Sequence, residues 1–595
     1  MKNNFQKKDR KAFTIVELVI VIAVIAILAA VLIPTFSNII KKSQISADVQ
    51  LCRNMNTVLA NAQAESRIPG SVYDVLYLEN EAGYILENLN PTAEGYYYAW
   101  DQVNNKIIYL MSDLQTVYFP EDYTLTEGNC WITVSSAAEA AKVAGYGYNL
   151  AFECDINEEI VLSNVVSINT LGFKAGNVTF NGDTASKSVE TAYMIGTFGN
   201  IGGTLGASSI VQSGTASNLS VSSNNAASSV TVSGYVNSFS VSGSAAASVT
   251  SAGLVNSVAS TSTSAITNNG VVKANSGSSV VSGGASSEEG NKISVGTKED
   301  LDSIRTQVAS GARTFDKETI ELSQNINMAN IAFTPISNFY RGQNDDKYFR
   351  GTFNGNGYSI LNFSNTGFSV TGLNAGFNNS SVYFGEAGIR YKEACYGLFA
   401  CAKDATFENF NVTCNVDMMI DHANNWVGDS VGGIVGCGYG EITFKNCTVN
   451  GTICGYDATG GLIGRFYGTK LTFDNCTNNA DITSVRRAGG LCGASKVVPE
   501  YKNNCVNNGT VTTLGNAKDL ELVAWNTDSN TGAKTTKVKA STNTDGYYAV
   551  SAAANLSSWG SPKHSDKWMN LEGFTNNGNI FQGEGNNIKD TDAKQ

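Results

Sequence analysis

Two short motifs recur in step in the second half of the chain. A Gly-Gly-apolar-apolar-Gly motif begins at Gly432, at Gly460 and again at Gly489. An Asn-Cys pair recurs with nearly the same period, at 446–447, 475–476 and 504–505. Each unit contains two short apolar strands separated by Gly and Asn turns, which is too little to bury its own apolar face. The repeats therefore predict a stack of units that share one continuous core.

The pattern over residues 350–515 resembles the GLUG-type repeats of bacterial surface proteins. The resemblance implies a parallel β-helix, which we take to be right-handed. Stacking of the repeats separately predicts an amide ladder of Asn446, Asn475 and Asn504 at a turn. The positions that we predict to be structural in each repeat are Gly432, Gly433, Gly460, Gly461, Gly489, Gly490, Asn446, Asn475, Asn504, Cys447, Cys476 and Cys505.

The three repeated cysteines lie one above another in such a stack. A zinc site needs four donors, with thiols usually in close C-x-x-C spacing, and the chain contains no C-x-x-C motif. We therefore predict no metal, and instead an inward column of small apolar thiols. Disulfides remain an alternative outside the cell, although a stack spacing of about 4.8 Å also suits unbonded neighbours.

Residues 191–272 contain no Asp, Glu, Lys or Arg. Such a Ser- and Gly-rich stretch is either a flexible linker or a narrow solenoid. Segments 230–233 and 239–242 alternate apolar and polar residues, as half-buried strands do. The motif at 235–238 recurs at 254–257. We therefore favour an ordered solenoid over a linker.

The N-terminal segment 1–33 combines a basic leader with an apolar run. Residues 1–12 carry five Lys or Arg against one Asp, and from Phe13 to Ile33 the only charged residue is Glu17. A helix of this length can span a bilayer, and the basic flank orients the N-terminus to the cytoplasm. A secretory signal peptide and an uncleaved signal anchor are the alternatives. Neither explains Glu17, because a carboxylate inside an apolar segment is unfavourable without a partner.

The segment Lys11–Glu17, followed by LVIVIAVIAILAAVLIP, resembles the class III signal of type IV pilins and pseudopilins. The resemblance implies that a prepilin peptidase/methylase cleaves between Ala12 and Phe13 and methylates Phe13. It also implies that Glu17 pairs with the new α-amine of a neighbouring pilin-like subunit, and that the helix bends at Pro34. The family usually has Gly where this chain has Ala12.

A small head follows the N-terminal helix. Apolar residues at helical spacing continue the helix in amphipathic form to about residue 66. Segments 96–101 and 106–110 read as a hairpin. Their aromatic residues are either a ligand platform or, as we favour, the packing of a small sheet on the helix.

The fold class that we predict is a long N-terminal α-helix with a small α+β head, followed by all-β modules of right-handed parallel β-helix. Capping-box-like starts at Ser136 and Thr297, each followed by a glycine stop, predict short helices that close the ends of solenoids. The predicted divisions are a leader (1–12), a transmembrane and amphipathic helix (13–66), a head (67–127), a Ser/Gly/Val-rich solenoid (128–290), a GLUG-type β-helix (291–515) and C-terminal strands, cap and tail (516–595).

Composition argues against several classes of function. Charged residues make up 15% of the chain, while Gly numbers 59 and Pro only 7, which disfavours a metabolic α/β enzyme. His422 and His564 are the only histidines, too few for a multi-His metal centre. A net charge of −12 argues against a nucleic-acid partner.

Polysaccharide lyases and hydrolases are the rival class, since they also occur on β-helices and need clustered carboxylates or a basic residue over a groove. The available charged residues, which form no recognisable catalytic motif, are Asp421, Asp429, Arg465, Arg486 and Arg487. A calcium loop at 528–532 is weakly suggested but lacks the acid that an EF-hand needs. We therefore expect no enzyme activity, no metal and no cofactor.

These patterns together predict a minor pilin or pseudopilin of a type IV pilus or type II secretion system. It would be a single-pass membrane protein whose extracellular β-helix binds a host or polysaccharide ligand at the cell surface or on a pilus. The alternatives are a membrane-anchored, carbohydrate-active β-helix enzyme and a purely structural surface protein.

Overall fold

The structure is a computed structural model. It describes residues 15–64, 91–134, 136–143, 145–152, 159–162, 168–181, 189–206, 209–328, 333–337, 347–364, 381–384, 389–418, 426–455, 458–484, 487–513, 523–527, 534–539, 549–551, 554–556, 573–584 and 587–590.

Three α-helices lie in these ranges: α1 (Ile15–Ala64), α2 (Ala137–Val143) and α3 (Lys298–Ser310), together with a 3-10 turn at Glu127–Asn129. The first helix is 50 residues long and continues through Pro34, although the proline nitrogen carries no hydrogen to donate to the preceding turn. Thr297 and Asp300 form a reciprocal capping box at the start of α3, and Gly311 ends it in a left-handed conformation. The capping box and the glycine stop expected from the sequence are therefore confirmed at α3.

Within the described residues, the first sheet contains seventeen strands. In chain order they are β1 (Tyr97–Asp101), β2 (Lys106–Leu110), β3 (Val117–Phe119), β4 (Cys130–Val134), β5 (Asn149–Phe152), β6 (Glu159–Leu162), β7 (Ile168–Asn181), β8 (Val189–Thr204), β9 (Ser209–Gln212), β10 (Thr215–Ser223), β11 (Ser229–Val232), β12 (Tyr235–Gly243), β13 (Ala246–Val249), β14 (Leu254–Val258), β15 (Ile266–Asn268), β16 (Val271–Val272) and β17 (Val281–Ser282).

The remaining strands build three further sheets of nineteen, six and two strands. They are β18 (Lys292–Val295), β19 (Thr319–Leu322), β20 (Ile326–Asn327), β21 (Thr352–Asn354), β22 (Ser359–Ser364), β23 (Ser381–Phe384), β24 (Ile389–Tyr396), β25 (Phe399–Asp417), β26 (Trp426–Gly432), β27 (Val435–Gly455), β28 (Ala458–Gly460), β29 (Ile463–Phe466), β30 (Lys470–Asp474), β31 (Thr477–Asn478), β32 (Asp481–Ser484), β33 (Arg487–Gly489), β34 (Cys492–Ser495), β35 (Glu500–Lys502), β36 (Cys505–Asn507), β37 (Val511–Thr513), β38 (Val523–Thr527), β39 (Lys534–Lys539), β40 (Ala549–Ser551), β41 (Ala554–Leu556), β42 (Phe574–Asn576), β43 (Ile580–Glu584) and β44 (Asn587–Asp590).

The charge-free region forms parallel strands rather than a linker. Strands β8, β10, β12 and β14 pair in sequence, with Thr197, Thr215, Tyr235 and Leu254 in one register column. In β11 the side chains of Val230 and Val232 are buried, whereas Ser229 and Thr231 are partly exposed. This alternation buries the apolar face that the two-residue period predicts.

A second stack follows the Gly and Asn-Cys repeats. Strand β25 pairs in parallel with β27, and β27 pairs in parallel with β29, β30, β31 and β32. Buried rings of Phe407, Phe444, Phe473 and Tyr501 stack in its core at centroid distances of 5.3, 5.4 and 5.3 Å. A helix followed by large parallel sheets, as expected from the sequence, is confirmed.

Helix α3 lies between the two stacks. Its apolar residues Leu301, Ile304 and Val308 belong to the core of the second stack. On the other side, Ser303 Oγ donates to the Ser233 carbonyl at 2.7 Å, and Gln307 Nε2 donates to the Ala252 carbonyl at 3.0 Å. The helix therefore covers the first rung of the second stack and joins it to the first stack.

Candidate functional site

The predicted processing and assembly residues lie at the start of the chain. Ala12 and Phe13 lie outside the described residues, whereas Glu17 falls in the first turn of α1 with its side chain outside the described part. Pro34 lies within α1, and its side chain is likewise not described. The roles expected of these four residues stay predictions.

The N-terminal half of α1 presents apolar side chains to solvent. The large apolar residues that are at least 45% exposed there are Ile15, Val19, Ile20, Val21, Ile22, Val24, Ile25, Phe36, Ile39 and Ile40. An exposed apolar surface of this extent marks a contact with another apolar phase or protein. In the part of the chain that the structure describes, no helix combines the length and apolarity needed to cross a bilayer. The expected single-pass topology is thus not shown by the structure.

Asp48 anchors the C-terminal half of α1 to the head. Its buried carboxylate accepts hydrogen bonds from the backbone N–H groups of Thr92 and Ala93 at 2.8 and 2.9 Å. The hydroxyl of Tyr109 donates to the same carboxylate at 3.0 Å. Burial and this hydrogen bond raise the pKa of Tyr109, so the phenol stays a donor. These three hydrogen bonds replace the water that the buried Asp48 carboxylate has lost.

Two further residues on the same face of α1 contact the strand β2. Cys52 and Asn56 follow Asp48 at steps of four residues, so all three lie on one side of the helix. Cys52 Sγ lies 3.4 Å from the Ile107 carbonyl, and the Asn56 side chain bonds the backbone of the same residue. The helix is thereby held at a defined register along the edge of the head.

The aromatic residues of the head pack on one another and on α1. The rings of Tyr96 and Tyr109 stack with centroids 5.2 Å apart, and Tyr118 meets both of them edge-on. Tyr98 is buried, and its hydroxyl donates to the Asp48 carbonyl at 2.8 Å. Most of this aromatic surface is therefore engaged in holding the helix, which favours packing over a ligand platform.

The head continues into the first stack without a break in the sheet. Strand β1 pairs antiparallel with β2 and also with β4, where Trp100 lies opposite Trp131. Strand β4 then pairs in parallel with β5, the first step of the stack. Hydrogen bonds therefore connect the docking site of α1 to the parallel strands.

The repeated glycines occupy places with no room for a side chain. A Cβ atom on Gly461 would lie 2.3 Å from the Gly490 carbonyl oxygen and 2.4 Å from Asn478 Oδ1. A Cβ atom on Gly433 would lie 2.7 Å from the Gly461 carbonyl oxygen. Gly432, Gly460 and Gly489 are crowded differently, within 2.3 Å, by the carbonyl oxygen three residues later in their own turn. The contacts of Gly433 and Gly461 are the ones that lie between neighbouring turns. Successive turns of the second stack therefore meet backbone to backbone.

Asparagines form ladders at the turns. Asn475 Nδ2 donates to Asn446 Oδ1 at 2.9 Å, and Asn446 Nδ2 donates to Asn409 Oδ1 at 2.8 Å. These residues have positive φ, the conformation that Asn tolerates better than other non-Gly residues. At the next rung it is Asn503 that donates, to Asp474 at 2.6 Å, one residue before the expected Asn504.

Two more asparagine ladders were not expected from the sequence. One is buried, where Asn478 donates to Asn507 and Asn507 donates to Asn576, both at 2.8 Å. The other is exposed and joins Asn450, Asn479, Asn508 and Asn577. The Asn-Asn pairs at 478–479, 507–508 and 576–577 were a readable signal, because the first two recur with the Asn-Cys repeat.

Cys447, Cys476 and Cys505 are fully buried, in a column at the same corner of the stack. Phe410 lies in register below Cys447, and Phe574 lies in register above Cys505. Among the described residues, no group of three or more His, Cys, Asp or Glu is arranged to hold a metal ion.

A threonine column on the outer face of the second stack was also missed. Register pairs place Thr319, Thr352, Thr406, Thr443 and Thr472 side by side on five successive strands. The signal was a Thr-Phe dipeptide, which recurs at the last four positions. Because the phenylalanine points into the core, the preceding threonine points to the opposite face of the strand. Thr319, Thr352, Thr406 and Thr443 are partly exposed there, whereas Thr472 is buried and its hydroxyl donates to Glu500 at 3.4 Å.

The charged residues considered for catalysis are only partly described. Asp421 and Arg486 lie outside the described residues, as do both histidines, residues 528–532 and the side chain of Asp429. Arg465 is buried, and its Nη1 donates to the Tyr467 hydroxyl at 2.9 Å. Arg487 lies on β33, a different sheet from Arg465.

Comparison with known proteins identifies the N-terminal signal. Residues 7–33 match the family described as the prokaryotic N-terminal methylation motif. The chain is 36% identical over 67 residues to the type IV major fimbrial protein FimA of Dichelobacter nodosus, a stretch that is 11% of this chain and 43% of that protein. The chain thus spans less than half the length of this relative. No solved structure matches the chain.

The expected type IV pilin signal is thereby confirmed. A signal of this type implies a membrane-anchored precursor that ends on the cell surface or on a pilus.

Proposed function

We propose that the chain is a minor pilin or pseudopilin that displays a large β-helical ectodomain on the cell surface. The observation that carries the proposal is the methylation motif at residues 7–33, at the head of a helix with an exposed apolar face. An apolar surface of that kind needs a covering partner. A membrane before assembly and other pilin-like subunits after it supply such a cover.

A prepilin peptidase/methylase cleaves between Ala12 and Phe13 and methylates the new N-terminus. Glu17 then lies about one helical turn from the new α-amine. In a helical assembly its carboxylate neutralises the amine of the neighbouring subunit, which relieves the unfavourable burial of both charges.

The two stacks are right-handed β-helices, and the second is of GLUG type. Parallel pairing at a nearly constant offset along the chain supports this proposal, with Leu219 beside Phe239 in the first stack and Phe444 beside Phe473 in the second. Parallel strands joined by a crossover within one sheet are almost always right-handed. A coil that advances about 4.8 Å per turn gives a long and regular outer surface.

The ectodomain is an adhesive or binding module, not an enzyme. The threonine column supports this proposal, because its four partly exposed members, Thr319, Thr352, Thr406 and Thr443, offer a row of hydroxyls to a polar polymer such as a polysaccharide or to a host protein. An addition of this size after residue 127 hinders dense packing of neighbouring subunits, which favours a minor component over the main filament subunit. Incubation with a polysaccharide panel tests the enzyme alternative, which release of reducing ends or unsaturated products would support.

N-terminal mass spectrometry of the mature protein tests the central proposal. From cells with prepilin peptidase we expect a chain that begins at N-methylated Phe13, and from cells without the peptidase one that begins at Met1. A lysine in place of Ala12 is the matched variant, since a bulky charged side chain before the cut blocks processing. A mature chain that still carries residues 1–12 in the peptidase-positive cells contradicts the proposal.

A further inference from the structure

One outer face of the second stack carries no charge over four successive rungs, and we call it the neutral face. It consists of the segments 447–451, 476–480, 505–509 and 574–578. None of these segments contains Asp, Glu, Lys, Arg or His. Their strands β27, β31, β36 and β42 pair in parallel, with Thr448, Thr477, Val506 and Thr575 side by side in one register column.

The threonine column, on the preceding strand of the same rungs, lies among charges. Thr443 has Glu441 and Lys445 two residues away on either side, and because side chains alternate along a strand, all three lie on the same face. Lys445 is beside Asp474 in the next rung. A ligand on the threonine column therefore meets charges of both signs, whereas a ligand on the neutral face meets hydroxyl and amide groups.

The neutral face carries a row of four amides, Asn450, Asn479, Asn508 and Asn577, which we call the amide row. Each Nδ2 donates to the Oδ1 of the rung below, at 2.9, 2.7 and 2.8 Å in chain order. A primary amide has two N–H groups and two carbonyl lone pairs. In the exposed Asn479 and Asn508 the row uses one of each, so one donor and one acceptor per rung remain for a ligand.

The amide row is held in place from inside the stack. Asn478 and Asn507, one residue before two members of the row, are fully buried and bond each other at 2.8 Å. Each also donates to the backbone carbonyl two residues later, in Ala480 and Gly509, at 2.8 Å. Because the turns are fixed in this way, a ligand that binds the amide row orders few side chains and the entropy cost of binding is small.

The spacing of the amide row discriminates between polymers. Neighbouring rungs are about 4.8 Å apart, whereas an extended peptide lying along the row presents groups on one side every two residues, about 6.6–6.8 Å. The peptide groups therefore fall out of step with the row within a few rungs. A hydroxyl both donates and accepts and rotates to suit its partner, so the hydroxyls of a sugar polymer bond such a row without a matching backbone period.

We propose that the neutral face binds an uncharged polysaccharide, whose hydroxyls bond the amide row and the hydroxyls of Thr448, Thr477 and Thr575. The proposal rests on the binding role proposed for the ectodomain, to which it adds a face and a class of ligand. An acidic polysaccharide finds no cation in the four segments, and the net charge of −12 on the chain repels it.

Depletion assays with the full-length chain in detergent test the proposal. The probes are insoluble cellulose, curdlan and mannan as uncharged polysaccharides, and cross-linked polygalacturonate as an acidic one. We expect at least one uncharged probe to bind, with the same Kd at low salt and in about 1 M NaCl, where the Debye length is about 3 Å. Absence of binding to all three uncharged probes, or binding to polygalacturonate alone, overturns the proposal.

Asn479→Ala combined with Asn508→Ala removes the middle of the amide row. We expect Kd for the bound polysaccharide to rise about tenfold or more, a loss of about 1.4 kcal/mol or more. Asn475→Gly is the matched control, because it breaks an exposed asparagine ladder at the neighbouring corner, where the positive φ suits glycine. The control should keep the Kd of the unsubstituted chain. A control that weakens binding as much as the double variant overturns the proposal.

Two single variants decide which face the ligand contacts. Thr477→Val removes a hydroxyl from the neutral face, and Thr443→Val removes one from the threonine column, where both side chains are partly exposed. We expect only Thr477→Val to weaken binding of the uncharged polysaccharide. Weaker binding by Thr443→Val alone would place the ligand on the threonine column, which overturns the proposal for the neutral face but leaves the binding role of the ectodomain intact.

Discussion

The side chain of Asn56 bonds both backbone groups of Ile107. Asn56 Oδ1 accepts from the Ile107 N–H at 2.8 Å, and Asn56 Nδ2 donates to the Ile107 carbonyl at 2.9 Å. Ile107 is fully buried, and its partner in the β1–β2 hairpin is Trp100. A helix side chain thus takes the place of a neighbouring strand at this edge, and the backbone groups of Ile107 stay paired away from water.

Asn56→Ala should loosen α1 from the head. The substitution leaves a buried N–H and a buried carbonyl without partners, at a cost of about 1–3 kcal/mol for each group. Hydrogen–deuterium exchange of a peptide covering residues 106–110 should therefore become faster. Asn54→Ala is the control, because Asn54 is exposed and accepts a hydrogen bond from Gln50 in the same helix. Equal exchange in the two variants would contradict the bridging role of Asn56.

Glu318→Gln should destabilise the joint between the two stacks. Glu318 forms a buried ion pair with Arg313, whose Nε donates to Glu318 Oε2 at 2.8 Å and whose Nη1 donates to the Ala252 carbonyl at 3.0 Å. Loss of the carboxylate leaves the buried guanidinium charge uncompensated, which costs about 3–5 kcal/mol. We expect a lower urea midpoint and faster exchange in β18 and β19.

Glu289→Gln is the matched control for Glu318→Gln. Glu289 pairs with Lys317, two side chains that are both mostly exposed. Exposed pairs contribute about 0–1 kcal/mol, so this variant should keep the midpoint of the unsubstituted chain. If the urea midpoint of Glu289→Gln falls as far as that of Glu318→Gln, burial of the ion pair does not explain the loss of stability.

The parts of the fold that the sequence predicts are those in which each rung repeats the contacts of the one below. Asn446 and Asn475 each bond an asparagine one turn away, so the spacing of the asparagines alone indicates the ladder. A contact that occurs at a single place in the fold produces no repeating pattern in the sequence. The pair Arg313–Glu318 and the bridge from Asn56 to Ile107 join segments that only the finished fold brings together.

Register within a repeat is equally hard to predict. Between the pairs Asp474–Lys502 and Thr477–Val506, the upper strand has one residue more than the lower strand. The spacing of the Asn-Cys pairs does not show this, so the sequence alone predicts Asn504 as the next member of the asparagine ladder. In the structure it is Asn503 that donates to the strand below, because Asp474 pairs with Lys502 and the upper strand is therefore shifted by one residue at this point. The signal at residues 7–33 is recognisable for a different reason, since a charge within an apolar segment is informative without any tertiary contact.

Cys454 should be the first described cysteine to react with a thiol reagent. It is the only partly exposed cysteine among those that the structure describes. Burial and the nearby Asp417 raise its pKa to about 11, with a partial offset from a hydrogen bond to Thr483. The thiolate is the reactive form, so the labelling rate should rise about tenfold per pH unit between pH 8 and pH 10.

Asp417→Asn is the informative variant for Cys454. It removes the repulsion that opposes ionisation, so the pKa should fall and labelling at pH 8 should become faster. Peptide mapping of the alkylated chain assigns the site. Labelling that levels off below pH 9, or that Asp417→Asn slows, would contradict the proposed environment.

Gly461→Ala should destabilise the second stack. The added methyl group would lie 2.3 Å from the Gly490 carbonyl oxygen and would also push on Asn478 of the buried ladder. The Gly490 carbonyl is backbone and the Asn478 amide is held in its ladder, so neither can move away easily, and overpacking of this kind costs about 1–3 kcal/mol. The urea midpoint should fall, and exchange in β28 and β33 should rise. Gly202→Ala is the milder control, since its nearest contact would be the Ser220 carbonyl oxygen at 3.2 Å.

Glu17→Gln should block assembly while leaving processing intact. The amide keeps the size of the side chain but removes the charge that we propose for neutralising the α-amine of the adjacent subunit. We expect the variant to be cleaved after Ala12, stay in the membrane fraction and disappear from sheared surface filaments. Its matched control is Glu94→Gln, a carboxylate of the head that lies outside the helix. The control should assemble normally, whereas filament incorporation of Glu17→Gln at the unsubstituted level would show that assembly does not depend on the charge of Glu17.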